Sequence, residues 1–163
     1  MRLRQLVIAT SEMDLLADSI CDLFELKRTF SDPELIVFGL QNVLIPLGDT
    51  FLELVTPVKE NTSAERFLKK RDGDGGYMVI TQCDDHGPRR KRVEDLGIRI
   101  VHDANSDQFI NMQLHPRDTG GTFFEIDQQM GESALNRDGP WHPAGPNWRA
   151  GQRLERVRGI KAA

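Results

Sequence analysis

Apolar runs of five to eight residues recur along the chain, separated by polar breaks rich in Gly, Pro and Asp. Runs of this length with alternating or β-branched character predict strands. There are eight: 3–9 (LRQLVIA), 35–40 (LIVFGL), 42–47 (NVLIPL), 50–55 (TFLELV), 77–83 (YMVITQC), 98–102 (IRIVH), 108–115 (QFINMQLH) and 122–127 (TFFEID). Between the first two, the pattern changes to a helical period. Leu15, Leu16, Ser19, Leu23 and Leu26 predict an amphipathic helix over 13–26, opened by a capping box from Ser11 to Asp14. A second helix is predicted over 88–97 (PRRKRVEDLG), stopped by Gly97. The polar stretch 57–76 ends in DGDGG and holds a short helix around 63–71.

The order β-α-β-β-β therefore occurs twice, and the two copies share sequence. From Gly48 to Leu54, four of seven residues are identical to those 72 positions downstream, GDTFLEL against GGTFFEI. Internal duplication changes the fold expected. The fold class predicted is α+β, with two tandem βαβββ modules forming paired curved mixed sheets and the helices outside. Residues 1–127 are expected to form one domain: module one over 1–58, a linker over 59–76 and module two over 77–127. The remaining 128–163 contain RDGPWHPAGPNW, too dense in Gly and Pro for regular helix or central strand. This stretch is expected to be an extended arm, lying on the domain or on a partner subunit. Its two tryptophans need an apolar surface to cover, which favours a homodimer.

Composition narrows the class without naming a function. The chain has 163 residues, net charge −4, and 39% hydrophobic residues, as expected of a globular domain. A mildly acidic surface offers no general attraction for nucleic acid or anionic membrane, and no apolar run reaches the roughly 20 residues of a membrane span. The basic start is followed by only about five apolar residues, short of the roughly 7–15 of a secretory signal, so a cytoplasmic location is expected. Cys21 and Cys83 are isolated and read as small buried residues rather than a zinc or disulfide pair.

The repeated strand carries the chemistry. Side chains alternate between the faces of a strand. Phe51 and Glu53 share one face in the first copy, and Phe123, Glu125 and Asp127 share one in the second. The even-numbered Leu52, Leu54, Phe124 and Ile126 suit the face under the helix. Both glutamates are then directed into the concave face. An ionised carboxylate there needs a cation, a donor or a raised pKa.

The duplicated order and the strand endings FLELVTP and GGTFFEID resemble the vicinal oxygen chelate superfamily, which includes glyoxalase I, methylmalonyl-CoA epimerase, extradiol dioxygenases and bleomycin-resistance proteins. INMQLHPRDTGGTFFEI is most similar to the glyoxalase-like and epimerase branch, where a His-Pro turn precedes the last metal-bearing strand. The resemblance covers residues 3–127. It implies a divalent metal held by one side chain on the first strand and one on the last strand of each module. The last-strand ligands match Glu53 and Glu125, and the first matches Gln5, where the family usually has histidine. The fourth position is Tyr77 or Met78, by a one-residue choice of alignment. Methionine and neutral tyrosine are poor ligands for hard ions. The resemblance thus implies glyoxalase- or epimerase-like handling of a small carbonyl or acyl-thioester substrate, with or without a metal's assistance, with Glu53 and Glu125 catalytic. Phe51, Tyr77, Met78, His115 and Phe123 would line the substrate pocket. The alternative it implies is a metal-free protein of the bleomycin-resistance type that binds or sequesters a small molecule.

Other features point less far. PRRKR (88–92) would suit a phosphate-bearing ligand such as a coenzyme A thioester, or be a solvated helix face. His102 beside Asp103 reads as surface, and His86 and His142 receive no role. DGDGG lacks the ligand spacing of a calcium loop and is followed by a strand, which also excludes a nucleotide loop.

Overall fold

The structure, a computed structural model, describes residues 1–161. In chain order its elements are β1 (Arg2–Ala9), α1 (Met13–Phe24), a 3-10 helix (Pro33–Phe38), β2 (Leu40–Leu47), β3 (Thr50–Pro57), α2 (Ser63–Arg71), β4 (Gly75–Gln82), α3 (His86–Asp95), β5 (Ile100–Asn105), β6 (Phe109–Leu114) and β7 (Phe123–Gln129). Two short 3-10 turns, His142–Ala144 and Trp148–Gly151, follow. All seven strands form one sheet in the order β2-β3-β1-β4-β7-β6-β5. Each module's first strand pairs parallel with its last, β1 with β3 and β4 with β7, and the modules join where β1 runs antiparallel to β4.

The segment 35–40, expected to be a strand, is a 3-10 helix instead. Local signals outweigh its β-branched composition. Asp32 caps the start by accepting from the Glu34 N–H, Pro33 occupies the first turn, and Gly39 ends it at φ +70°. What remains of a fourth strand in module one is a single bridge between Phe30 and Leu44. The capping box expected from Ser11 to Asp14 is also absent: α1 begins after Glu12, which makes no side-chain cap. Thr10 holds this corner by accepting from the Glu12 N–H and donating to Asp74 of the DGDGG turn. α2, by contrast, starts on a side-chain cap: Thr62 accepts from the Glu65 N–H, and Glu65 accepts from the N–H of Asn61, the residue before the cap.

The outer face carries α1 and α3. Leu52, Leu54, Ile45 and Val43 pack beneath Leu16, Ala17, Ile20 and Cys21 of α1. Leu15 and Leu23, part of the expected apolar stripe, face outward at 67% and 65% exposure. Phe124, Ile126 and Met112 pack beneath Val93 of α3. The inner face is also covered. At one end α2 contributes Ala64 and Phe67, beside Tyr77 and Phe123. At the other lie Trp141, Ala144 and Trp148 from the stretch after β7. Both indoles are thus spent inside this chain and are not free to make the dimer contact expected of them. Gly145, at φ +73°, lies so close to the Phe30 ring that a Cβ would come within 2.6 Å of it. The sheet itself curls. Phe38, leading into one edge strand, meets His102 on the opposite edge strand with ring centroids 5.1 Å apart.

Trp148 packs edge-on to Phe51 at 5.1 Å and is buried. Trp148→Ala is therefore expected to cost about 3–5 kcal/mol in urea unfolding. An unchanged midpoint would mean that the arm is not part of the folded core.

Candidate functional site

The repeat places its two glutamates equivalently. Gln5 pairs with Phe51 and Val7 with Glu53 in module one; Met78 pairs with Phe123 and Ile80 with Glu125 in module two. This register settles the choice left open between Tyr77 and Met78: Met78 is the counterpart of Gln5. The Tyr77 hydroxyl donates instead to Ser63 of α2 at 2.7 Å. Phe51, Glu53, Phe123 and Glu125 all face inward, as the alternation predicts.

Glu53 is 6% exposed and Glu125 7%. Glu53 accepts from Asn42 Nδ2 on one oxygen and Gln5 Nε2 on the other, each at 2.7 Å. Both donors are themselves held. The Asn42 carbonyl oxygen accepts from the Asp32 N–H at 2.7 Å, and the Gln5 carbonyl oxygen accepts from the indole N–H of Trp141. Glu125 accepts from Gln113 Nε2 at 3.2 Å, and the same nitrogen lies 3.6 Å from the Met78 sulfur. Asp127, on the same face of β7, is fully buried, and its oxygens have no N–H or O–H partner among the described residues. Burial first, and then the Glu125 charge, raise its pKa well above the carboxylate range, which favours its protonated form. Burial also raises Glu125. Burial pushes Glu53 up to about 7, with the Glu125 charge acting in the same direction and the two donated hydrogen bonds opposing.

One more charge enters this face. Arg4 is fully buried, with the rings of Phe51 and Trp141 over its guanidinium carbon at 5.4 and 4.6 Å. Burial, chiefly, lowers its pKa to about 9, which leaves it protonated at neutral pH.

No family model matches the chain. Among curated proteins it is similar to human mitochondrial methylmalonyl-CoA epimerase, 26% identical over 95 residues, covering 55% of this chain and 53% of the relative. The chain thus spans about half the length of that relative. Among solved structures it resembles methylmalonyl-CoA epimerase from Mycobacterium tuberculosis, with TM-score 0.69 and 21% identity, covering 80% of this chain and 89% of that one. It also resembles a Streptomyces coelicolor methylmalonyl-CoA epimerase variant in complex with 2-nitronate-propionyl-CoA, with TM-score 0.70 and 18% identity, covering 80% and 99%. The chain shares the fold of these epimerase structures, as its resemblance to the vicinal oxygen chelate superfamily implies.

The metal implied by that superfamily meets an unsuitable donor set here. The Gln5 oxygen is taken by Trp141, and both Glu53 oxygens already accept N–H groups. The fourth donor is a thioether, soft where a hard ion needs oxygen. Among the described residues, no three His, Cys, Asp or Glu side chains gather to hold an ion. As arranged, these residues do not fit a divalent metal.

His115, matched to the superfamily's His-Pro turn, is drawn into that turn: its Nδ1 accepts from the Arg117 N–H at 3.1 Å. It does not join the acids. Reading the sequence missed Arg4, Asn42, Gln113 and Trp141 at this site, and placed Asp127 on the inward face without a role. Asn42 and Gln113 carried a signal, being polar residues on inward positions of apolar strands.

The Glu53 shift has a definite sign. The folded chain holds this proton more tightly than the unfolded chain does. The resulting stabilisation is full below pH 4.5 and is lost as pH rises through about 7, amounting to about 3 kcal/mol. Carboxyl NMR of chain labelled at glutamate should show one midpoint near 7. A value near 4.5 would mean that Glu53 is hydrated.

Proposed function

We propose that residues 1–127 form an acyl-thioester-binding domain that moves a proton at the α-carbon of its ligand, in the manner of an epimerase, with Glu53 and Glu125 as the acid–base pair. The observation that carries this reading is the placement of two buried carboxyls at equivalent positions of the repeat, on one inner face, beside equivalent phenylalanines. One carboxylate takes the α-proton, and the C–H electron pair passes into the thioester carbonyl as an enolate. The other carboxyl returns a proton to the opposite face of the carbon, where the electron pair forms the new C–H bond. A group poised near pH 7 suits both halves of that exchange. The likeness to methylmalonyl-CoA epimerases supports the thioester as substrate class. No step requires a metal.

A second reading, metal-free binding without turnover, is favoured by the covered inner face. One experiment separates the two. The full chain in deuterated buffer should exchange the C2 proton of methylmalonyl-CoA, and Glu53→Gln and Glu125→Gln should each slow exchange by roughly 100-fold or more. Tight binding with no exchange, with or without added divalent metal, would leave only the binding reading.

A further inference from the structure

Arg4 and Gln5 are adjacent in sequence, yet both side chains are buried against Trp141. In a regular strand they would point to opposite faces. The difference is a bulge. Leu3 pairs with Thr81 and Gln5 with Ile80, so Arg4 is the extra residue. Bulges re-aim side chains and are frequent beside functional sites.

The arrangement leaves the guanidinium unmet. Nε, Nη1 and Nη2 are all buried without a hydrogen-bond partner among the described residues. Asp49, the acid whose charge reaches Arg4, is engaged elsewhere: Arg137 donates to it at 2.9 and 3.1 Å, and Arg2 approaches it at 3.7 Å. The two aromatic faces lie over the guanidinium carbon. They offer cation–π attraction but cannot serve donors that radiate in the guanidinium plane. A buried charge is ordinarily paired. This one has its planar faces covered and its hydrogen-bonding edge unpartnered among the described residues.

We propose that Arg4 is the receptor for a carboxylate carried by the ligand of the inner face. This rests on reading that face as a ligand site and names what the ligand must bear: a free carboxylate in addition to the reacting carbonyl. A flat, singly charged group matches one guanidinium edge bidentately. A phosphate, with more charge, calls for more than one guanidinium edge supplies. The connection to the acids is direct. Arg4 touches Trp141, Trp141 donates to Gln5, and Gln5 donates to Glu53. A ligand reaching Arg4 displaces the indole that now covers it, so tryptophan fluorescence reports binding.

The test titrates the full chain with malonate, its neutral diamide and inorganic phosphate, by calorimetry and fluorescence. Malonate should bind and the diamide should not, and Arg4→Met should weaken malonate by about 10- to 100-fold. The urea midpoint of Arg4→Met should be unchanged or higher, because an unpaired buried charge is replaced by an apolar chain. A lowered midpoint with malonate affinity intact would make Arg4 a structural clamp and overturn the proposal. So would equal binding of malonate and its diamide, preference for phosphate, or no carboxylate binding by the unmodified chain. Proton exchange at methylmalonyl-CoA is scored separately. Malonate binding through Arg4 without exchange keeps this assignment and removes turnover, whereas exchange with an unchanged KM in Arg4→Met does the reverse.

Discussion

Burying an ionisable carboxyl on the inner face of a sheet is costly, and this chain does so three times on two strands, with Glu53, Glu125 and Asp127. Much of the surrounding architecture follows from that cost. Glu53 is met by two amide donors, and neither amide is free: one is anchored by the backbone before the 3-10 helix, the other by an indole from the far end of the chain. Glu125 is met by Gln113 and lies beside Asp127, whose burial favours the protonated form. The irregular segment before β2 and the arm after β7 are thus parts of one hydrogen-bonded system centred on the acids.

The repeat gives both halves the same geometry while their chemistry diverges. In register, Gln5 corresponds to Met78, Leu44 to Gln113 and Val55 to Asp127. Module one surrounds its glutamate with neutral amides; module two surrounds its own with a thioether, an amide and a second acid. The two carboxyls are therefore related in position and unlike in environment. That difference is what an acid and a base acting on one carbon require.

Much of this was legible in the sequence because it depends on alternation. The faces of Phe51, Glu53, Phe123 and Glu125, the duplicated module and the outer packing of Leu52, Leu54, Phe124 and Ile126 all follow from a period of two. The failures occur where a local device interrupts that period. At 35–40, an Asp cap, a proline and a glycine at positive φ made a helix from β-branched residues. At Arg4, a bulge turned inward a residue that alternation places outside. The choice between Tyr77 and Met78 required register, which a single strand does not contain. The burial of Trp141 and Trp148 on their own domain required the curl of the sheet, a property of all seven strands together.

That curl bears on how a ligand would reach the acids. The outer face is closed by helices, and the edges approach one another at Phe38 and His102. The arm is held differently from the strands around it. Its ties to the body include Trp141 to Gln5, Gln82 to the Ala134 carbonyl, the Gln129 oxygen to the His142 N–H, Arg137 to Asp49 and Gln152 to the Gly48 carbonyl. Each uses a side chain, and none belongs to the sheet ladder. Lifting the arm would break these ties and expose two indoles while leaving every strand pair intact. Both indoles are core residues, so lifting the arm also carries the cost of exposing them. The arm that anchors Gln5, and through it Glu53, is thus bound by its indoles and by side-chain hydrogen bonds, while the strand ladder is complete without it.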